Sequence, residues 1–294
     1  MPEVMIIGAG PAGLAAALQL KRYGIDHILI ERSRVGGLLN NANLVENYPG
    51  FPGGISGEDL VSLFSVQATK IGVEVTYDEV QLLDYSQRTF KAVGRFSNYL
   101  APITIVASGT LGKLPEGITV PETIKDKVIT EIFSIKTVEN RRIVIVGAGD
   151  LAFDYALNLG KKNQIVILNR SEELKCLPLL QDRITRVSSV KYQDRTQLVT
   201  IQAGYGDEVV LGTITPNGSQ EFACDYLVFA IGREPWTGYF SDNLRNIMNE
   251  LEKKGTLYLI GDVRNGIFRQ AAIAIGDGIN CATKIQKTLE EQKK

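Results

Sequence analysis

The sequence predicts an α/β protein built from two similar β-turn-helix-β units, the second inserted in the first. Two observations carry that expectation. A short apolar run, Val4–Ile7, enters a glycine-rich turn and then a stretch rich in Ala and Leu. The same order returns at Arg142–Val146, so that Gly147 falls 139 residues after Gly8. Composition agrees with it: 294 residues that are 44% hydrophobic and 22% charged suffice for one large domain or two ordinary ones, and argue against a disordered chain.

Each element has a local reason. Ala and Leu are strong helix formers, so the chain continues as helix from the first turn through Leu20, and Gly24 ends it. His27–Ile30 follows as a strand closed by Glu31, which makes a right-handed βαβ unit. In the second unit, Gly147-Ala148-Gly149-Asp150-Leu151-Ala152 leads into a helix-like stretch over Phe153–Leu159. The strand Gln164–Leu168 comes next and ends at Asn169. Polar and apolar residues alternate from Val190 to Phe229 with Asn217-Gly218 as a hairpin turn, which predicts antiparallel ribbons. The stretches Pro115–Pro121 and Gly232–Pro235 read as crossings between domains. They give a discontinuous first domain, residues 1–112 and 235–294, and a second domain over 113–234. The last helix is placed over Gly278–Glu291.

The two glycine turns carry the chemistry. In Gly8-x-Gly10-x-x-Gly13, with Pro11 and Ala12 between, the first glycine makes a tight turn. The second lets the backbone approach a pyrophosphate, and the third lets helix and strand pack closely. Glu31 lies 18 residues after Gly13 at the end of the second strand, where a carboxylate bonds ribose hydroxyls; Arg32 follows it. Gly147-x-Gly149-x-x-Ala152, with Asp150 inside, repeats the device. Here the strand ends at Asn169, followed by Arg170 and, further on, Lys175. A cation at that place suits the 2′-phosphate of NADP and a carboxylate suits NAD; the sequence leaves NADP, NAD or another adenine ligand such as a second flavin open. The expected fold class is therefore α/β with two Rossmann-like nucleotide-binding domains, the second inserted in the first, each a three-layer ββα arrangement.

Several function classes are excluded. Lys plus Arg number 32 and Asp plus Glu 33, so no basic field invites nucleic acid. No apolar run is long enough to span a membrane. The N-terminus lacks a basic, cleavable leader, and the expected location is cytoplasmic. Cys176, Cys224 and Cys281 are separated by 48 and 57 residues, which excludes a CxxC or zinc-finger spacing and leaves each as a small buried residue. His27 is the single histidine, so no metal site is expected.

Further segments make the sequence recognisable. Gly36-Gly37-Leu38-Leu39, Val45–Pro52 with Asn47, Ala107-Ser108-Gly109, Gly261-Asp262 and Arg269-Gln270-Ala271 resemble the flavin-side segments of the thioredoxin-reductase-like flavoproteins, in the pyridine nucleotide-disulfide oxidoreductase superfamily. Tyr226–Pro235, with Ile231-Gly232, is similar to that family's second interdomain crossing. The resemblance spans nearly the whole chain. It implies FAD in the first domain, with Asp262 at the ribityl chain, and NADP or NAD in the second, and it implies a homodimer. There are departures. The family's Cys-x-x-Cys pair would fall at Thr130-Glu131-Ile132-Phe133, and no cysteine precedes Cys176. The family's His-Arg-Arg-x-x-x-Arg motif reads Asn169-Arg170-Ser171-Glu172-Glu173-Leu174-Lys175, and Trp236 stands where the family has Asn.

Dithiol exchange needs an attacking thiolate and a second thiol to resolve the mixed disulfide. Without that pair, an FAD-dependent oxidoreductase is expected that moves electrons between NAD(P)H and an external acceptor: ferredoxin, flavodoxin, a quinone or oxygen. Arg141–Asp150 and Asp154-Tyr155-Ala156-Leu157 are also similar to the thioredoxin-reductase-like ferredoxin–NADP reductases, which makes a redox protein an implied partner. Hydride transfer from nicotinamide C4 to flavin N5 needs proximity and orientation rather than a side-chain acid, so no catalytic residue is named. The alternative is a non-catalytic or redox-sensing flavin-binding protein.

Overall fold

The computed structural model describes residues 1–292. The chain opens with β1 (Val4–Ile7), α1 (Pro11–Arg22), β2 (His27–Glu31), α2 (Gly57–Ile71) and β3 (Val75–Tyr77). Three antiparallel strands follow, β4 (Val80–Ser86), β5 (Thr89–Gly94) and β6 (Asn98–Ala101), and then β7 (Ile103–Val106) and β8 (Thr110–Gly112). The next stretch holds β9 (Val128–Ile129), β10 (Arg142–Val146), α3 (Asp150–Leu159), β11 (Gln164–Leu168), α4 (Pro178–Thr185) and β12 (Val190–Gln193). Then come β13 (Gln197–Ala203), β14 (Val209–Thr215), β15 (Gly218–Cys224), β16 (Tyr226–Phe229) and β17 (Arg233–Pro235). The chain closes with α5 (Asp242–Lys253), β18 (Leu257–Leu259) and α6 (Ala271–Gln292).

Two compact units result. One holds residues 1–40, 45–110 and 234–294; the other holds 111–233 together with Asn41–Leu44. The placement of Asn41–Leu44 differs from the sequence reading, which kept the whole of residues 1–112 in the first domain. The reason is local: the Phe133 N–H donates to Asn41 Oδ1 at 2.8 Å, and the Asn43 N–H donates to Asp154 Oδ2 at 2.9 Å.

Each unit is a parallel sheet between a helical layer and a three-stranded antiparallel ribbon. The first sheet has the order β18-β7-β1-β2-β3 and the second the order β12-β11-β10-β16-β9. The register is repeated as well. Val4 stands opposite His27 and Ile103; Ile143 stands opposite Ile165 and Tyr226. Because strand side chains alternate faces, β1 feeds two cores. Val4 and Ile6 pack with Leu14, Leu20 and Ile285 on the helix side, while Met5 and Ile7 pack with Phe90, Leu83 and Phe240 on the ribbon side. In the second unit Ile143 and Ile145 face Tyr155 and Ile184, and Val144 faces Leu211 and Ile201. Burying each such aliphatic side chain contributes about 1.5–3 kcal/mol. That is why these short strands read as unbroken apolar runs.

Helix ends follow their capping chemistry. Pro11 opens α1, where a missing N–H costs nothing. Ser56 caps α2 by accepting the Asp59 N–H at 3.1 Å, and Gly72, at φ +79°, ends it. Two local readings are corrected. α6 starts at Ala271 rather than Gly278. Of the stretch Val190–Phe229, only β13, β14 and β15 are antiparallel; β12 and β16 pair in parallel within the second sheet. The hairpin turn is one residue early, with Thr215 opposite Gly218.

Candidate nucleotide-binding sites

Both glycine turns sit at the carboxyl end of their parallel sheets, and the same backbone device builds each. Gly8 has φ +104° and its N–H donates to the Ile30 carbonyl at 2.8 Å; Gly147 has φ +133° and its N–H donates to the Leu168 carbonyl at 3.0 Å. A Cβ on Gly8 would lie 2.4 Å from the Ala107 oxygen, and one on Gly147 would lie 2.3 Å from the Ala230 oxygen. Side chains at these two positions are thus excluded twice, by the left-handed backbone and by the neighbouring strand. A Cβ on Gly13 would lie 1.9 Å from the Gly8 oxygen, so the third glycine lets α1 close onto the turn. Ala152 takes that place in α3 and is fully buried.

Gly10 and Gly149 are different. Nothing stands within 4 Å of a Cβ placed on either. Both are the residue immediately before their helix, with extended backbone and no side-chain cap. Each turn therefore presents uncapped helix N–H groups and a positive helix end to an open space, an arrangement that suits a pyrophosphate. The residues present fit the group.

In the first unit, Glu31 lies against the turn. Its Oε2 accepts the Ala9 N–H at 2.8 Å, and its Oε1 accepts the N–H groups of Ser33 and Arg34 at 2.9 and 3.2 Å. A carboxylate has about four acceptor positions, so at least one is left for a ribose hydroxyl. Arg32 is exposed and its guanidinium lies 6.0 Å over the Trp236 ring. Ala107 backs Gly8. Ser108 Oγ donates to the Trp236 carbonyl at 2.7 Å, and Gly109, at φ +68°, accepts the Trp236 N–H at 3.0 Å. Gly37, with φ +49°, approaches Gly10, and opens the 3₁₀ turn that carries Leu38 and Leu39. Gly261 packs on Ala12, where a Cβ would meet the Ala12 Cβ at 2.8 Å, so Gly261-Asp262 is placed beside the start of α1. Asn47 donates to Gln270 Oε1 at 2.7 Å, which joins the 45–52 loop to Arg269-Gln270-Ala271 at the head of α6.

Sequence reasoning missed Asp277. Its Oδ2 accepts the Gly261 N–H at 3.2 Å and Asn265 Nδ2 at 2.6 Å, so it fixes the turn that holds Asp262. No local pattern singles out a carboxylate in the middle of a helix.

In the second unit, the structure brings the 169–175 loop onto the glycine turn. The Lys175 N–H donates to the Ala148 carbonyl at 3.2 Å, and the Leu177 N–H donates to Asp150 Oδ1 at 2.7 Å. Ile231 and Gly232 follow the Ala230 that backs Gly147, and the Gly232 carbonyl accepts the Lys113 N–H at 3.0 Å. Arg170 is exposed. Asn169 is buried and turned inward. Its Nδ2 donates to the Glu173 carbonyl and to Tyr192 Oη, both at 2.9 Å, and its Oδ1 accepts the Ser171 N–H at 3.2 Å.

The place expected for a thiol pair holds an acid instead. Glu131 Oε1 pairs with Arg233 Nη2 at 2.8 Å. Tyr155 lies close by, fully buried, and burial pushes its hydroxyl above the usual range. Next to it, burial pushes the Asp154 carboxyl up to about 6, while the Asn43 and Leu44 N–H groups, Lys136 and Lys161 pull the other way. The three cysteines are free and buried. Burial raises all three thiols, that of Cys224 to about 12. Among the described residues no group of His, Cys, Asp and Glu is placed to hold a metal, and no helix is long and apolar enough to cross a membrane.

Two of the second unit's exposed cations are paired with acids. Arg142 pairs with Glu208 at 2.5 Å and Asp225 at 3.3 Å, and Lys162 pairs with Glu139.

Known proteins agree with this architecture. The chain is 30% identical over 308 residues to a thioredoxin reductase of Rickettsia conorii, with 98% of each chain covered. It is 31% identical over 310 residues to one of Listeria monocytogenes, with 99% of this chain and 95% of that one covered. The crystal structure of Lactococcus lactis thioredoxin reductase superimposes with a TM-score of 0.84 at 25% identity, covering 99% of this chain and all of that one. Residues 2–278 match the pyridine nucleotide-disulphide oxidoreductase family, and this thioredoxin-reductase-like chain, with its two nucleotide-binding folds, belongs to it.

Proposed function

We propose that the chain is an FAD-dependent oxidoreductase that moves electrons between NAD(P)H and an external acceptor without a dithiol of its own. One observation carries this reading: two complete glycine turns, each on its own parallel sheet, in a chain with no cysteine before Cys176. The family uses FAD and NADPH.

In the first unit, Gly8, Gly10, Pro11, Ala12 and Gly13 would hold the FAD pyrophosphate and Glu31 the adenosine ribose. Asp262 would hold the ribityl chain. Gly37–Leu39, Asn47, Ala107–Gly109 and Arg269–Ala271 would line the rest. In the second, Gly147, Gly149, Asp150 and Ala152 would take a nicotinamide dinucleotide, with Asn169, Arg170 and Lys175 at its adenosine end and Ile231-Gly232 beyond the turn. When bound, FAD accepts a hydride and passes the electrons on. The chain would supply orientation: rigid backbone donors at two helix ends and an acid at the ribose. The acceptor class follows from the missing thiols. Ferredoxin, flavodoxin, a quinone or oxygen all take electrons from a flavin without thiol exchange.

The test is an anaerobic titration of the FAD-loaded protein with NADPH and with NADH, following the visible absorption of the oxidised flavin. Bleaching by at least one nucleotide is expected, together with no reduction of thioredoxin disulfide. A flavin that neither nucleotide bleaches refutes the reading.

A further inference from the structure

We propose that Glu172 and Glu173 set the nucleotide preference of the second site. By cancelling the positive charge that a 2′-phosphate needs, they leave the chain to bind plain and 2′-phosphorylated dinucleotides about equally. The inference rests on the reading of the Gly147 turn as a dinucleotide site and deepens it.

Sites of this topology distinguish the two dinucleotides in the loop after the second strand, by a carboxylate on the 2′-hydroxyl or a cation on the 2′-phosphate. Here the carboxylate is missing and the cations are balanced by acids. Asn169 stands where the carboxylate would be, and all its polar atoms are spent inside the loop on Glu173, Tyr192 and Ser171. Three cations stand around the loop: Arg170, Lys175 and Arg195, the last brought in by its N–H bond to the Ser171 carbonyl at 3.3 Å. Three acids face them. Arg195 Nη1 lies 3.2 Å from Glu172, its Nε lies 3.3 Å from Asp194, and Lys175 Nζ lies 3.8 Å from Glu173. Among the described residues only Arg170 of the three cations has no ion pair.

These pairs are well exposed and each contributes little, so the individual contacts rearrange easily. The charge balance does not rearrange. A phosphate monoester carries about −1.5 to −2 charges near neutral pH. Placed at this loop it faces Glu172 and Glu173 as well as the cations paired with them, and charges this close to one another are only partly screened by physiological salt. The attraction and the repulsion offset, and the 2′-phosphate gains nothing over a hydroxyl.

The test uses the full-length, FAD-loaded protein, so that the first site is filled, and two redox-silent probes: ADP-ribose and its 2′-phosphorylated form. Binding is measured by calorimetry. For the natural chain the two dissociation constants are expected within tenfold of each other. In the Glu172→Gln/Glu173→Gln double variant the 2′-phosphorylated probe is expected to tighten fivefold or more. The same variant should leave ADP-ribose within twofold, and the gain should vanish in 0.5 M salt. Both positions are exposed, and an unchanged thermal midpoint certifies the fold. A natural preference for the phosphorylated probe beyond tenfold overturns the inference and leaves the dinucleotide site intact. A double variant whose gain stays below fivefold overturns it equally. If neither probe binds, the dinucleotide reading of the Gly147 turn fails, and this inference with it.

Discussion

Gly10 and Gly13 stand three residues apart and answer to different constraints. A methyl at position 13 would meet the Gly8 carbonyl at 1.9 Å, whereas a methyl at position 10 would meet nothing. Gly13→Ala should therefore destabilise the apoprotein by about 1–3 kcal/mol through overpacking. Gly10→Ala should cost less than about 1 kcal/mol but weaken FAD retention tenfold or more, because its methyl occupies the approach of the pyrophosphate. Urea unfolding of the apoprotein and equilibrium dialysis of FAD separate the two. A Gly10→Ala protein that keeps its flavin would remove the turn from the cofactor site. Asp154 offers a second residue-level test. Its carboxyl is raised to about 6 when folded and titrates near 3.9 in an unfolded chain. The folded state thus binds its proton more tightly, and the ionised form costs stability that grows as pH rises through that window. Relative to the natural chain, Asp154→Asn should gain up to about 3 kcal/mol between pH 4 and pH 7. Denaturant midpoints at several pH values show it; a constant difference across the range would mean that Asp154 titrates normally.

At the scale of elements, the contact between α1 and α6 is the one the sequence concealed. The sequence reading starts the last helix at Gly278, seven residues later than its observed start at Ala271. In the structure Gly278 lies inside α6, and glycine is required there because a Cβ would lie 2.3 Å from the Ala12 carbonyl oxygen. Gly278→Val should force the two helices apart and destabilise the chain by about 1–3 kcal/mol, visible as a lower urea midpoint; a neutral effect would show that the helices do not pack this closely. What was legible had local causes: apolar runs buried on both faces, an Ala-rich helix after a glycine turn, and an acid at a strand end. The backing of Gly8 by Ala107, and of Gly147 by Ala230, was not legible, since each joins residues about 80–100 positions apart. The same holds for Asp277 on Gly261 and Asp154 on Asn43. The alternation from Val190 to Phe229 misled for a related reason. It records that side chains change faces, and β12 and β16 satisfy it while pairing in parallel with distant strands.

For the whole molecule, the open question is which atoms carry electrons. A thiol acts as a nucleophile only as thiolate, and burial raises all three thiols here, Cys224 to about 12. Cys281 packs in the helix-side core of the first unit, Cys176 in that of the second, and Cys224 in the second unit's ribbon-side core. Each sits where a small apolar residue serves as well. The Cys176→Ala/Cys224→Ala/Cys281→Ala variant should therefore fold, at a cost of roughly 0.5–3 kcal/mol per site, and should bind FAD. Its nicotinamide-driven reduction of a dye acceptor should stay within about threefold of the natural rate, because hydride transfer to a flavin asks only for placement. The control is a thiol titration of the native natural chain with an aromatic disulfide reagent, in which all three cysteines should react slowly until denaturant is added. A thiol-free protein that holds its flavin, keeps its thermal transition and yet passes no electrons would show that a cysteine belongs to the electron path. The glycine turns would then describe only half of the machinery.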